Sequence, residues 1–346
     1  MSRMPVGVLG ATGAVGQRFV SLLASHPWFE VAEVVASERS AGRSFAEACS
    51  WRLPDPPPGG VLSLRVKGIE ETLESRLLFS GLDSQVAGPA EERLAAAGHV
   101  VVSNARNHRM GADVPLLIPE VNPEHLGLLA AQRARTGGGY IVTNPNCTVA
   151  GLAMALAPLH RSFGVRSAVV VTLQALSGAG YPGVASLDVA DNVVPFIGGG
   201  EEEKIEAEPR KILGSLVGGR VEPAAFSVHA SVHRVNVSDG HTMATRVILR
   251  DSVSPEEARA VLGAFRGEPQ ERSLPSAPQH PIHVLGDDRP QPRLDRDREG
   301  GMAVSVGRVR GDGGGLWLEV LVHNTVRGAA GAAILNAELL RARELL

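Results

Sequence analysis

The apolar positions of this chain fall into two textures. In the first, short and wholly apolar runs alternate with amphipathic ones. Val6–Leu9 is followed by a stretch with Val15, Phe19, Leu22 and Leu23 on one face, then by a second apolar run at Val31–Ala36. Short apolar runs bounded by turn residues predict buried strands, and the three-and-four spacing predicts a helix, so a βαβ unit opens the chain. The pattern recurs with strands at Leu77–Phe79 and Val100–Val102, a helix near Glu91–Ala97 between them, a strand at Tyr140–Thr143 and a helix over Val149–Leu159. From about Val165 the texture changes. Val169–Leu173, Ala225–Val235, Thr242–Leu249, Val304–Val309 and Leu316–Val322 read as longer strands with few helices between them. That pattern predicts a mixed sheet in a second domain. Pro54–Gly60 reads as a surface loop, Gln279–Gly301 as an ordered excursion of mixed charge, and Arg327–Leu346 as a helix.

Composition narrows the class. A chain of 346 residues, 44% apolar and 21% charged, can bury two proper cores. Its net charge of −3 carries no nucleic-acid footprint. No apolar run reaches the length of a membrane span, so no membrane partner is expected. Met1–Pro5 leads directly into a strand pattern and leaves no room for a signal peptide. The two cysteines, Cys49 and Cys147, make no disulfide framework, and a reducing, cytoplasmic location is expected. His99, His108, His125 and His160 lack ligand spacing, so no metal site is expected.

Three places carry chemistry. The first is the loop Gly10-Ala11-Thr12-Gly13-Ala14-Val15-Gly16 between strand and helix. There Gly10 permits a tight turn, Gly13 lets backbone N–H groups approach a pyrophosphate, and Gly16 lets the helix pack closely. The second is the end of the next strand, Ser37-Glu38-Arg39-Ser40. Ser37, Arg39 and Ser40 suit a ribose 2′-phosphate and hence NADP(H), whereas Glu38 is the residue an NAD site would use. The third is Asn144-Pro145-Asn146-Cys147-Thr148, which sets a cysteine at the first turn of a helix. Unpaired N–H groups and the helix dipole there favour the thiolate, of which a free thiol holds about 3% at neutral pH. Three further polar clusters accompany it: Gln174 to Gly180, Arg234 on an alternating strand, and His241 directly after the Asp239-Gly240 turn.

Together these stretches resemble aspartate-semialdehyde dehydrogenase, in its archaeal and fungal branch, nearly end to end. The likeness includes Gly-Ala-Thr-Gly-Ala-Val-Gly-Gln-Arg-Phe at 10–19, Ser-Asn-Ala-Arg-Asn-His-Arg-Met at 103–110, and Ser-Gly-Ala-Gly-Tyr-Pro-Gly at 177–183. It continues with Glu-Glu-Glu-Lys-Ile-Glu at 201–206, Pro-Gln-Pro-Arg-Leu-Asp-Arg-Asp at 290–297 and His-Asn-Thr-Val-Arg-Gly-Ala-Ala-Gly at 323–331. The resemblance implies an α/β architecture: a Rossmann-type dinucleotide-binding domain over 1–146, a mixed α/β catalytic and dimerisation domain over 147–325, and a C-terminal segment, 326–346, returning to the first domain. It also implies NADPH-dependent reductive dephosphorylation of aspartyl 4-phosphate to aspartate semialdehyde. Cys147 matches the nucleophile, His241 the acid/base, Gln174 the residue orienting the acyl intermediate, and Arg234 the binder of the substrate α-carboxylate. Arg106, Asn146 and Lys204 match phosphate contacts, and Glu201, with Glu202 beside it as the alternative, the partner of the substrate ammonium. For the cofactor, the resemblance adds Thr12, Ala14, Val15 and Ser80, with Ser177, Gly178 and Asn324 along the nicotinamide. A homodimer or homotetramer is implied. Malonyl-CoA reductase resembles the same branch and is the alternative activity.

Overall fold

The computed structural model describes residues 2–346. Six strands form the first sheet: β1 (Met4–Leu9), β2 (Phe29–Val35), β3 (Val66–Lys67), β4 (Leu77–Ser80), β5 (Val100–Ser103) and β6 (Tyr140–Thr143). All pair in parallel, in the order β3-β2-β1-β4-β5-β6. The order reverses between β1 and β4, which opens a crevice beyond their carboxyl ends. Elements on both faces bury Val8, Phe79, Val102 and Val142 completely, which is why these strands read as unbroken apolar runs. The helix expected near Glu91–Ala97 spans Ser84–Ala96. It starts earlier because Asp83 caps it, accepting from the Gln85 N–H at 2.8 Å.

The second sheet is mixed. After β7 (Val165–Gln174) and β8 (Val193–Pro195), the hairpin β9 (Ser215–Val217) and β10 (Arg220–Glu222) stands apart. The sheet continues with β11 (Ser227–Val235), β12 (His241–Leu249), β13 (Ile282–Val284), β14 (Val304–Gly311) and β15 (Leu316–Val322), in the order β13-β14-β15-β12-β7-β11-β8. β7 runs parallel to β11 and antiparallel to β12, with Arg234 opposite Gln174 and Thr242 opposite Leu173. This register gathers Gln174, Arg234 and His241 at one end of the sheet. β7 buries alternate residues, and its other face exposes Val169, Val171 and Leu173 at 44%, 36% and 42%. The three apolar side chains thus stand in a row on an open sheet face.

The helix Cys147–Phe163 fills the core of this second layer, every residue from Thr148 to Leu159 being buried. It begins two residues before the apolar pattern suggests, because the Asn146 side chain accepts from the N–H groups of Thr148 (2.9 Å) and Val149 (3.3 Å). The C-terminal segment enters as a π-helical turn, Val326–Ala330, and continues as an α-helix over Gly331–Ala342. Ile334, Leu335 and Leu339 share one core with Phe19, Phe29 and Phe79 of the first layer. Asn144 stitches the junction, donating to Asn104 Oδ1 and the Ala329 carbonyl at 2.8 Å each and accepting from Asn336 at 2.6 Å.

The π turn is also pinned from below. Arg327 donates to both oxygens of Glu120, at 2.8 and 2.7 Å, with the two side chains 1% and 0% exposed. The excursion at 279–301 is ordered around two carboxylates. Asp295 pairs with Arg289 and Arg298. Glu299 accepts from the N–H groups of Gln279 (2.7 Å) and His280 (3.1 Å) and meets the His283 ring at 3.1 Å. His280, His283 and Glu299 thereby converge within 4.8 Å, although the spacing of the histidines suggested no such cluster. Both oxygens of Glu299 are already engaged, and the triad serves to close the excursion. Among the described residues, no helix is long and apolar enough to cross a membrane.

Replacing Arg327 with Met would leave Glu120 buried without a partner, a loss of about 3–5 kcal/mol. Chemical denaturation should show a correspondingly lower midpoint; an unchanged midpoint would mean that the pair does not hold the turn.

Candidate active site

A cleft of about 550 Å³ lies where the carboxyl ends of the first sheet meet the loops of the second. Its floor is Cys147, half-buried at the first position of its helix, with Sγ 3.3 Å from Nε2 of the wholly buried His241. Gly328 of the π turn backs the cysteine so closely that a Cβ there would stand 2.9 Å from Cys147 Cβ. Gly178 is packed as tightly: a Cβ would come within 2.8 Å of Arg234 Nη1 and 2.9 Å of the His241 ring.

The histidine's tautomer follows from its partners. The Ala175 N–H donates to Nδ1 at 3.0 Å, so the single ring proton sits on Nε2 and faces sulfur. An imidazolium would have to give up that bond. Burial and the neighbouring Arg234 guanidinium push His241 down to about 3. Burial, reinforced by the Glu201 carboxylate, pushes the Cys147 thiol up to about 12. This runs against the thiolate expected from helix position: in the resting cleft, desolvation favours the neutral thiol and the neutral imidazole.

Charged side chains line the wall opposite the cofactor loop. Glu201, 9% exposed, accepts from Asn146 Nδ2 (2.8 Å), Gln174 Nε2 (3.2 Å) and Lys204 Nζ (2.7 Å). Burial alone would raise its carboxyl, but Lys204 and the two amides hold it below the usual range. Glu202 faces away, accepting from the Val232 N–H, so Glu201 is the carboxylate in the cleft. Arg234, 5% exposed, donates to the Ala175 carbonyl at 2.6 Å. Arg106 lies exposed at the rim and donates to the Gly199 carbonyl at 2.9 Å.

Arg109, which sequence reasoning passed over, is a second buried cation of this wall, beside Arg234. It is 7% exposed and lines the cleft, bonded to Glu208 (2.9 Å) and the Asn104 carbonyl (2.8 Å), while its Nε has no partner. That Nε is itself buried, and what Arg109 brings to the cleft is its positive charge, which suits an anionic ligand. The available signal was its place in the 103–110 string, three residues beyond Arg106.

On the cofactor side the glycine loop is as crowded as its spacing suggests. Gly10 has φ +73°, and a Cβ on Gly16 would stand 2.1 Å from the Gly10 carbonyl oxygen. Gly13 caps the helix Ala14–Leu23 with no side-chain hydrogen bond, and Ala14 and Val15 line the cleft. Thr12 lies in the loop, its carbonyl accepting from Gln17 at 2.9 Å. Ser37, Arg39 and Ser40 form the turn after β2, with Ser37 and Arg39 exposed and Glu38 turned towards Gly68. Asn324 donates to the Ser177 hydroxyl at 2.8 Å, and both line the cleft with Gly178. Ser80 is wholly buried and spends its hydroxyl on Glu91 at 2.6 Å, so its side chain faces away from the cleft.

A thiol raised to about 12 beside an imidazole lowered to about 3 stays almost wholly protonated across the ordinary range, and its small thiolate fraction grows about tenfold per pH unit. Alkylation of Cys147 by iodoacetamide in the ligand-free protein should therefore accelerate steadily from pH 6 to 10. A plateau reached below pH 8 would reveal a resting thiolate and contradict this geometry.

Residues 5–129 match the family model described as semialdehyde dehydrogenase, NAD binding domain, and residues 156–327 match its dimerisation domain. Aspartate-semialdehyde dehydrogenase of Archaeoglobus fulgidus is 50% identical over 342 residues, covering 98% of each chain. The Saccharomyces cerevisiae enzyme of that name is 44% identical over 359 residues, again covering 98% of each. The crystal structure of aspartate semialdehyde dehydrogenase with NADP from Candida albicans matches at a TM-score of 0.91 and 42% identity, covering 100% of both chains. The chain belongs to the semialdehyde dehydrogenase family, among the aspartate-semialdehyde dehydrogenases with archaeal and fungal members.

Proposed function

We propose that this protein reduces aspartyl 4-phosphate to aspartate semialdehyde through a thioester on Cys147, within amino-acid biosynthesis. The observation that carries this reading is the Cys147–His241 contact of 3.3 Å on the floor of a cleft walled by a glycine loop and by Arg109, Lys204 and Arg234. The cysteine sulfur attacks the acyl carbon, and phosphate leaves with the electron pair of the broken C–O bond. Arg109, Lys204 and Asn146 take the departing charge, with Arg106 at the entrance. When bound, NADPH supplies the hydride that reduces the thioester. His241 can take the thiol proton on Nε2 only from the other tautomer, with its ring proton moved to Nδ1 and the Ala175 bond open; it then holds that proton during acylation and returns it to the oxyanion as reduction proceeds. Collapse of the hemithioacetal regenerates the thiol and releases the aldehyde. Gln174 orients the acyl group.

Arg234 grips the α-carboxylate with a planar fork, and Glu201 meets the α-ammonium. The same carboxylate weighs against malonyl-CoA: a buried anion beside the acyl site repels a malonyl group, which has no ammonium to offer. The glycine loop fits a dinucleotide, with Gly10, Thr12, Gly13, Ala14 and Val15 at the pyrophosphate. Ser37, Arg39 and Ser40 would take a 2′-phosphate, and Ser177, Gly178 and Asn324 the nicotinamide; the relative solved with NADP supports this choice. Ser80 would contribute through its backbone. We assign 1–146 to cofactor binding, 147–325 to catalysis and dimerisation, and 326–346 to the returning segment. The Val169–Leu173 face is where a second copy would seat, in a homodimer or a tetramer built from it. A cytoplasmic setting suits a reduced cysteine.

Oxidation of aspartate semialdehyde with NADP⁺ should be phosphate-dependent, with no CoA requirement. Turnover supported by CoA and not by phosphate would refute the substrate assignment.

A further inference from the structure

The helix Glu201–Ile212 carries charges of alternating sign, Glu201, Lys204, Glu208 and Lys211, at spacings of three, four and three. Such a stripe usually faces solvent. Here it faces inward: Glu201, Glu208 and Lys211 are 9%, 2% and 6% exposed. Its first half, Glu201 and Lys204, lines the cleft, and its second half does not. Glu208 instead accepts from Arg109 Nη1 at 2.9 Å and, with its other oxygen, from the backbone N–H of Asn146 at 2.6 Å. One turn on, Lys211 Nζ donates to the carbonyls of Arg109 (2.7 Å), Gly111 (2.7 Å) and Val114 (2.8 Å). Three acceptors use all three donors of an ammonium.

Arg109 is thus held at both ends, its guanidinium by Glu208 and its backbone by Lys211, which leaves Nε as the unpaired donor. The Glu208 carboxylate also fixes the peptide that precedes the nucleophile. We infer that Glu208 and Lys211 are positioning residues: they aim Arg109 at the phosphoryl group and set the Asn146–Cys147 turn, without touching substrate themselves. This inference rests on the phosphate site proposed above. A glutamine at 208 cannot replace the carboxylate, because its amide nitrogen would point a donor at one of two donors.

Steady-state oxidation of aspartate semialdehyde, with inorganic phosphate as the varied substrate, tests the assignment. Glu208→Gln should raise the phosphate KM about tenfold, with the NADP⁺ KM changed less than twofold. Lys211→Met should act in the same direction, which guards against one variant failing to fold. Mere loss of folded enzyme would lower the maximal rate and leave every KM in place, and that result overturns the positioning role. Arg109→Ala separates the two layers of the argument. If it raises the phosphate KM while Glu208→Gln and Lys211→Met do not, the inference fails and the phosphate site stands. If Arg109→Ala leaves the phosphate KM unmoved, both fail.

Discussion

The placement of the Cys147 sulfur is settled by packing before any ligand arrives. Its helix is capped by Asn146, its back rests on Gly328, and its sulfur meets an imidazole that the Ala175 N–H has fixed in one tautomer. Each constraint comes from a different part of the chain. The buried Arg327–Glu120 pair holds the turn carrying Gly328, and the β7–β12 register brings His241 beside Gln174. A shift in any one would move a reacting atom, and small displacements of this kind are expensive in a positioned reaction.

The electrostatics of the cleft have a resting form and a working form. At rest, desolvation dominates: the thiol is high, the imidazole low, and Arg234 bonds to the Ala175 carbonyl. An incoming carboxylate would compete for Arg234, and an anionic phosphoryl group would compensate Arg109 and Lys204. Ala175 touches both Arg234, through its carbonyl, and His241, through its N–H. Reactivity held back until substrate arrives protects a half-buried cysteine from side reactions.

Much of this was legible in the residues. The glycine loop, the strand-to-helix cysteine and the switch to longer strands all rest on local patterns that tertiary packing reinforced. The first sheet emerged because buried parallel strands read as apolar runs. Three features were misread for physical reasons. The helix expected near Glu91–Ala97 was placed too short, because its first turns, Ser84 to Ala90, include Pro89 and Gly88 and lack a run of helix-forming residues. The thiol's ionisation was inferred from helix position alone, whereas burial, which no local pattern encodes, determines its sign. Arg109 was passed over, although it shares one short loop with Arg106; only folding separates an exposed guanidinium from one 7% exposed. The choice between Glu201 and Glu202 was likewise a matter of helix phase, settled by which face meets Asn146.

The account turns on covalent capture of the acyl group by sulfur. Protein mixed with aspartate semialdehyde and NADP⁺ without phosphate should release about one NADPH per site, then stall, and peptide mass spectrometry should find an aspartyl group on Cys147. A burst with no adduct, or an adduct carried by another residue, would contradict it.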